Sequence, residues 1–455
     1  MLPESPKARA LARRAPFDLS VQNYSTEIDD GKRSIYLYET SRPNLTATIS
    51  FQAQEECMFH DQRLIMRDGM LIGALERMCA TLEISPSQAA LAKERYDGVG
   101  GWLAESEDPL LKAMGIFLQG STAIGTTVKP IGSNEHDVDL VAHAPGLGNW
   151  IAPVALKKAI GDRLKANGHY KAQLVEMARC WRLVYANEFH MDITPSIPNR
   201  DCIMGGELVP DRALKIWKPS NPKGYKALFL ERVKLAPRFR VTKSFHAEDR
   251  ARADIEPYPE QVHFKGLLQR VVQILKRHRD VFIGVNEIDM SMSPISVLVT
   301  TLASQSYEYC VKTFTYETEL DLLFDVIRHM PDFVKARGVN GRMQWFVWNE
   351  TTKGENFAEK WNGDPKRAEI FFTWHSRALS DISRLRDVEG IDGLKRQLGD
   401  AFGSGPAKAV VDSITEDISV SRRGGTLGVA PRIGLVTGVT AASVTPVRAN
   451  TFFGR

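Results

Sequence analysis

The chain has 455 residues, of which 43% are hydrophobic and 25% charged, and a net charge of +4. This composition is that of a globular protein of about two or three structural units, which excludes wholesale disorder and collagen-like repeats, and the charge is too small to indicate a nucleic-acid-binding coat. No apolar run approaches the ~18 residues of a membrane span, and no apolar segment follows the basic N-terminus, so we expect a soluble, cytoplasmic protein without a membrane partner.

The N-terminal part of the sequence predicts an extension followed by two helices. Residues 1–58 form the expected extension, in which the alternating residues of 34–39 and 46–52 favour a small β-hairpin. Apolar residues recur at helical spacing over 61–83, and this helix should end before Pro86. A second helix is predicted over 86–105.

The next segment reads as a mixed α/β unit. Short apolar or alternating runs predict strands at 114–118, 136–142, 180–185 and 189–193, and a helix is expected over 152–167. Gly120 and Ser121 fall between the first two strands, where we expect a turn with Ser121 as a helix N-cap. The alternation of strands and helices predicts a mixed sheet through about residue 215.

The remainder predicts helices and then a tail. A Pro- and Asn-containing segment at 218–224 favours a crossover between domains, and helical apolar patterns follow at 267–275, 294–302, 317–330 and 363–400. Residues 421–455 contain no acidic residue. The predicted domains are therefore the extension (1–58), an α/β core (59–215), a helical domain (216–405) and a C-terminal tail (406–455) ending beside the aromatic pair Phe452 and Phe453.

Three aspartates carry the predicted chemistry. Asp137 and Asp139 are two residues apart on a predicted strand, so both side chains should project from the same face. Asp192 lies on the polar face of a later strand. Clustered carboxylates repel one another unless a cation lies between them, which favours Mg²⁺ as their ligand. Three such acids can hold two metal ions, one activating an attacking hydroxyl and the other stabilising a leaving pyrophosphate.

Gly120 and Ser121 add a predicted phosphate site. They stand where a strand gives way to a helix, and backbone N–H groups there can accept the phosphates of a nucleoside triphosphate, without side-chain bulk at Gly120. Acidic residues also occur on exposed strand edges, where they only increase solubility. The order of G-S, D-x-D and a later strand Asp favours a nucleotidyl transfer site over that interpretation.

These motifs resemble those of the polymerase-beta-like nucleotidyltransferase superfamily. The resemblance is narrower with the bacterial cGAS/DncV-like nucleotidyltransferases (CD-NTases), and it spans about residues 60–400. Its motifs are Gly120-Ser121-x-x-x-Gly125-Thr126-x-Val128-Lys129-Pro130, Asp137-Val138-Asp139-Leu140, Met191-Asp192-Ile193-Thr194-Pro195, Ser220-Asn221-Pro222-x-Gly224-Tyr225 and Leu275-Lys276-Arg277-His278-Arg279-Asp280.

The resemblance implies an α+β fold, with a polymerase-beta-like core of mixed sheet joined to a helical domain like that of oligoadenylate synthases. It implies an Mg²⁺-dependent enzyme with two ions, which Mn²⁺ can replace, that joins nucleoside triphosphates, ATP and GTP among them, into a cyclic di- or trinucleotide. By similarity Lys276 and Ser296 contact the triphosphate. The family also implies anti-phage (CBASS-type) signalling through an effector that binds the product, a regulatory protein that grips the C-terminal tail, and no requirement for a nucleic-acid activator.

Two alternatives share the same motifs. One is a polymerase-beta-like transferase that adds nucleotides to RNA or to another hydroxyl acceptor, although such an enzyme should need a long basic track. The other is a catalytically silent nucleotide-binding sensor, which would have no need for all three acids.

Overall fold

The computed structural model describes residues 51–132, 136–186, 188–240, 266–339, 341–430, 434–437 and 445–447. The predicted hairpin at 34–52 and the aromatic pair Phe452 and Phe453 lie outside this part, apart from 51–52, which begin the first helix. Residues from Glu55 onward form one compact unit.

Two helices open the described chain. Helix α1 spans Phe51–Leu82 and α2 spans Pro86–Ala104, so both predicted helices are confirmed, the first starting ten residues earlier than expected. The break between them is encoded locally. Ser85 accepts a hydrogen bond from the Gln88 backbone while the Gln88 side chain returns one to Ser85, and Pro86 occupies the first turn, where its missing N–H costs nothing.

A mixed sheet follows. Its strands are β1 (Gly115–Gln119), β2 (His136–His143), β3 (Leu174–Glu176), β4 (Trp181–Tyr185), β5 (Phe189–Pro198), β6 (Glu207–Pro210) and β7 (Trp217–Ser220). Helices α3 (Gly120–Ile124), α4 (Pro153–Lys165) and α5 (Gly168–Gln173) lie between them. The order is β1-β2-β5-β4-β3, with β6 joining β5 to β7; β2 and β5 are parallel, and the other pairs are antiparallel.

The second half is mainly helical, as predicted. Its helices are α6 (Pro222–Val233), α7 (Leu267–Val285), α8 (Ser296–Thr313), α9 (Glu319–His329), α10 (Glu359–Gly363), α11 (Lys366–Ser383), α12 (Gly390–Phe402) and α13 (Ser404–Arg423). A two-stranded sheet, β8 (Lys335–Val339) with β9 (Arg342–Phe346), interrupts them. None of the described helices is both long and apolar enough to span a bilayer.

Two hydrophobic cores hold these elements. One lies around the sheet, where Leu140, Ile160 and Met191 are fully buried. The other lies among the helices and includes Leu275 and Trp374. The C-terminal half of α1 packs into this helical core, although the sequence places it in the 59–215 unit.

The segment around the expected tail is more ordered than its composition suggests. Helix α13 runs across the expected boundary at residue 406 and buries Ala407 and Val410. After it, β10 (Leu427–Ala430) pairs with β11 (Gly434–Thr437) and β12 (Thr445–Pro446), and Leu427 is buried. Leu427 is therefore packed although the composition of the predicted tail favours no core, and its strand pairs with two others. The four domain boundaries stay predictions.

Candidate active site

The turn between β1 and α3 requires glycine. Gly120 has a φ of +66°, and a Cβ atom there would come within 2.4 Å of Oδ2 of Asp139. Both the left-handed backbone and the close approach exclude a side chain. The expected N-cap is corrected: Gln119 is the residue preceding the helix, with no side-chain cap, and Ser121 is already inside the first turn.

Strand register brings the three aspartates together. Asp139 on β2 lies directly opposite Asp192 on the parallel strand β5, and two residues earlier Asp137 lies opposite His190. The intervening Val138 and Met191 are buried in the sheet core. The acids therefore share one face of two neighbouring strands, as the alternation in the sequence predicts.

The pKa of the Asp139 carboxylate is strongly perturbed. Its pKa rises to about 6, first because the group is buried and then because Asp137 and Asp192 repel its charged form. No described residue donates a hydrogen bond to it. A cation between these groups would relieve both penalties.

Arg182 supplies such a charge from the protein itself. It lies on β4 directly opposite Asp192, and its guanidinium donates two hydrogen bonds to that carboxylate, Nε to Oδ1 at 2.6 Å and Nη2 to Oδ2 at 2.7 Å. Nη2 is also 3.6 Å from Oδ1 of Asp137. These carboxylates raise the pKa of Arg182 above its usual value, through the hydrogen bond to Asp192 above all.

Within the described ranges no group of three His, Cys, Asp or Glu side chains stands ready to hold a metal ion. The position of Arg182 gives a physical reason, because both oxygens of Asp192 are already engaged. The chemistry of the donor set nevertheless suits a divalent cation: three carboxylates lie on one face of two neighbouring strands, and one of them, Asp139, lies in surroundings that disfavour its charge. The metal site predicted from the sequence stays a prediction, and it requires that Arg182 release Asp192.

Lys276 packs against the loop that follows α3. It is in the middle of α7, only 5% exposed, and its Nζ donates to the backbone oxygen of Thr126 at 3.1 Å and to its Oγ1 at 3.0 Å. Burial and Arg279 lower the pKa of Lys276 to about 7, while Asp139 acts in the opposite direction.

Ser296 is exposed at the start of α8. Its Oγ accepts a hydrogen bond from Nη1 of Arg279 at 3.0 Å, and the same nitrogen donates to the backbone oxygen of Pro294. No described contact joins Ser296 to the aspartates. Its predicted role in phosphate binding stays a prediction.

Several cations near the site escaped the sequence analysis. Arg179 acts electrostatically on Asp139, and with Arg212 and Arg367 it lowers the pKa of Lys360, for which burial is the larger cause. The position of Arg182 could have been predicted from the sequence. It lies between the apolar Trp181 and Leu183, which are buried, so strand alternation places it on the polar face. The other three lie in loops and helix termini, where no periodic pattern singles them out.

Residues 71–232 match the family model of the Second Messenger Oligonucleotide or Dinucleotide Synthetase domain. A c-di-GMP synthase from Roseivirga ehrenbergii is 28% identical over 387 residues, covering 84% of this chain and 96% of that protein. Cyclic dinucleotide synthase CdnG from Bradyrhizobium diazoefficiens is 23% identical over 412 residues, covering 84% and 94%.

Solved structures share the fold. The structure of Bradyrhizobium diazoefficiens CdnG in complex with GTP superposes with a TM-score of 0.56 at 20% identity, covering 75% of this chain and 98% of that one. Escherichia coli CdnC with ATP gives a TM-score of 0.51 at 12% identity, covering 73% and 97%.

The domain match and the two relatives together support a bacterial CD-NTase. The same comparisons support nucleotidyltransferase activity, and the mixed sheet with its helices has the fold of a polymerase-beta-like core joined to a helical domain. The three aspartates, the β1–α3 turn and Lys276 all lie in parts of the chain that these relatives cover.

Proposed function

We propose that this CD-NTase joins nucleoside triphosphates, ATP and GTP among them, into a cyclic di- or trinucleotide without a template and releases pyrophosphate at each step. The observation that carries the proposal is the placement of Asp137, Asp139 and Asp192 on one face, beside a turn that admits only glycine. The names of the two curated relatives favour a cyclic dinucleotide product, and that of the first favours guanine as a base.

The reaction requires a ribose hydroxyl of one nucleotide to attack the α-phosphorus of another. Two Mg²⁺ ions, or Mn²⁺ in their place, held by the three aspartates would polarise the hydroxyl and neutralise the pyrophosphate as it leaves. Asp192 lies on the β5 side, where it would accept the hydroxyl proton. The new bond joins the ribose oxygen to phosphorus, and the bond to pyrophosphate breaks. Ring closure repeats the same step within the linear intermediate.

The cations around the face would bind the triphosphate. Arg182 lies on the neighbouring strand, so a small movement transfers its guanidinium from Asp192 to a phosphate oxygen. Lys276 would contribute an ammonium group beside Gly120 and Ser121, and Ser296 a hydroxyl. Arg179 belongs to the cationic group near Lys360 and would attract the negatively charged substrate into the site.

The proposed biological role is in signalling. The product would act as a second messenger in anti-phage (CBASS-type) signalling in the cytoplasm by binding a separate effector, and a regulatory protein would grip the C-terminal tail. The match to a second-messenger synthetase domain supports the second-messenger part of this role.

The decisive experiment incubates the purified protein with labelled nucleoside triphosphates and Mg²⁺, followed by mass spectrometry of the products before and after nuclease P1 digestion. A cyclic product is expected from the wild type and from the control Asp97→Asn, whose carboxylate pairs with Lys93 on the surface of α2. Asp139→Asn should yield none. Only linear chains, or transfer to added RNA, would refute the proposed product.

A further inference from the structure

Helix α7 carries a second cation next to Lys276 that the nucleotidyl transfer site does not use. Arg277 is only 7% exposed, and it faces away from Thr126: its Nε donates to the backbone oxygen of Phe402 at 2.9 Å and its Nη1 to that of Lys129 at 3.4 Å. The backbone oxygens orient the guanidinium but carry no full negative charge.

This buried charge has no counter-ion in the described part of the chain. No described carboxylate forms an ion pair with Arg277. The acidic group that acts on it, Asp280, pairs instead with Arg279 at 2.6 Å, and burial lowers the pKa of Arg277. An arginine stays protonated at any physiological pH, so an anion bound beside it would lower the free energy of the folded protein.

A cavity of about 420 Å³ opens beside this guanidinium. Arg277 and Lys129 line it together with the apolar side chains of Leu82, Pro130 and Ala409. No described residue pairs with the ammonium group of Lys129. The volume is within the range of small-molecule sites, and the lining combines cationic with apolar side chains.

The start of α13 forms a third positive feature of the same cavity. This helix is 20 residues long, its preceding residue Gly403 has no side chain to cap it, and Gly405 and Pro406 line the cavity. The unpaired N–H groups and the dipole of a helix N-terminus favour a negative charge there. Three positive features, contributed by three separate segments, therefore meet in one cavity.

We propose that this cavity binds a phosphorylated small molecule, with its phosphate group between Arg277, Lys129 and the start of α13 and its less polar part against Leu82 and Ala409. The site is distinct from the aspartate face, because Lys276 and the loop after α3 lie between them. It is also connected to that face along the chain. Lys129, whose backbone N–H donates to the backbone oxygen of Leu82 at 2.8 Å, lies three residues after Thr126, the partner of Lys276.

Isothermal titration in metal-free buffer tests the proposal with inorganic phosphate, pyrophosphate and guanosine monophosphate as probes. Ala409→Glu places a carboxylate in the cavity. Val420→Glu adds the same charge to an exposed position of the same helix and is the matched control. We expect saturable binding to the wild type and to the control, weakened about tenfold or more by Ala409→Glu, because a like charge within the cavity opposes the anion.

Lys129→Gln provides a second variant should Ala409→Glu fail to fold, and it should weaken binding several-fold. Tighter binding of the monophosphate than of the inorganic ions would identify a nucleotide as the occupant, and the reverse would identify a free anion. Hydrogen exchange of residues 126–132 should slow when the probe binds. The proposal is overturned if no probe binds saturably, or if Ala409→Glu and Lys129→Gln bind as tightly as the wild type.

Discussion

The charge of Asp139 should destabilise the metal-free protein, so Asp139→Asn should make it more stable. Burial and two neighbouring carboxylates raise the pKa of this group from 3.8 to about 6. That rise of about two units corresponds to about 3 kcal/mol at pH 7.5, where the folded state must ionise a group that ionises freely when unfolded. For a chain of this size the expected increase in Tm is about 3 °C.

The pH dependence follows from the direction of the shift. The folded protein holds the Asp139 proton more tightly than the unfolded chain, so the penalty is fully present above pH 6 and disappears as the pH falls from about 6 toward 4. The advantage of Asp139→Asn should therefore shrink over that interval. Asp137→Asn is the matched comparison: its side chain is 62% exposed, so it should raise Tm by less than Asp139→Asn, and only because its repulsion of Asp139 is lost.

Thermal unfolding of the three proteins at pH 7.5 and pH 4.5, with EDTA present, measures both effects. Turnover with Mg²⁺ should be lost in both variants, which separates the loss of a metal ligand from loss of the fold. The reasoning is refuted if Asp139→Asn melts below the wild type at pH 7.5, or if the difference between them does not depend on pH.

Three further outcomes are expected. Arg182→Met should lower Tm in EDTA and enlarge the stabilisation by Mg²⁺, because the ion then replaces the cation that hydrogen-bonds to Asp192, whereas the exposed Arg179→Met should change both less; equal responses in thermal unfolding would contradict this. Lys276 has a pKa near 7 that a bound phosphate should raise, so triphosphate binding at pH 8 should take up a proton in the wild type and not in Lys276→Met. Calorimetry in buffers of different ionisation enthalpy measures that proton, and identical buffer dependence in the two proteins would exclude Lys276. Gly120→Ala should abolish turnover, because its methyl group would collide with the carboxylate of Asp139. Gly132→Ala is the control: it also has a positive φ, but its methyl group would meet nothing, and turnover should be kept. Equal turnover of the two variants would refute the steric argument.

The aspartate face was predictable because it depends on local rules. Alternation along a strand places Asp137 and Asp139 on one side, and the apolar residues flanking Asp192 place it on the polar side of its own strand. The role of Arg182 was not predictable, since it depends on the strand order β2-β5-β4, which no local pattern encodes. The burial of Lys276 was not predictable for a similar reason, because its partner Thr126 is 150 positions away in the sequence.

Helix α7 of the helical half binds the loop after α3, which is part of the sheet-containing half. Successive residues of a helix point about 100° apart, so Lys276 and Arg277 reach different sides of this loop. Lys276 binds the backbone of Thr126, and Arg277 binds that of Lys129. The loop follows α3, a helix of five residues that starts at the glycine turn beside Asp139, so a shift of α7 within the helical core would strain these hydrogen bonds or move α3. A ligand beside Arg277 therefore acts on the helix that also positions Lys276, which gives the proposed phosphate cavity a direct mechanical route to the nucleotidyl transfer site.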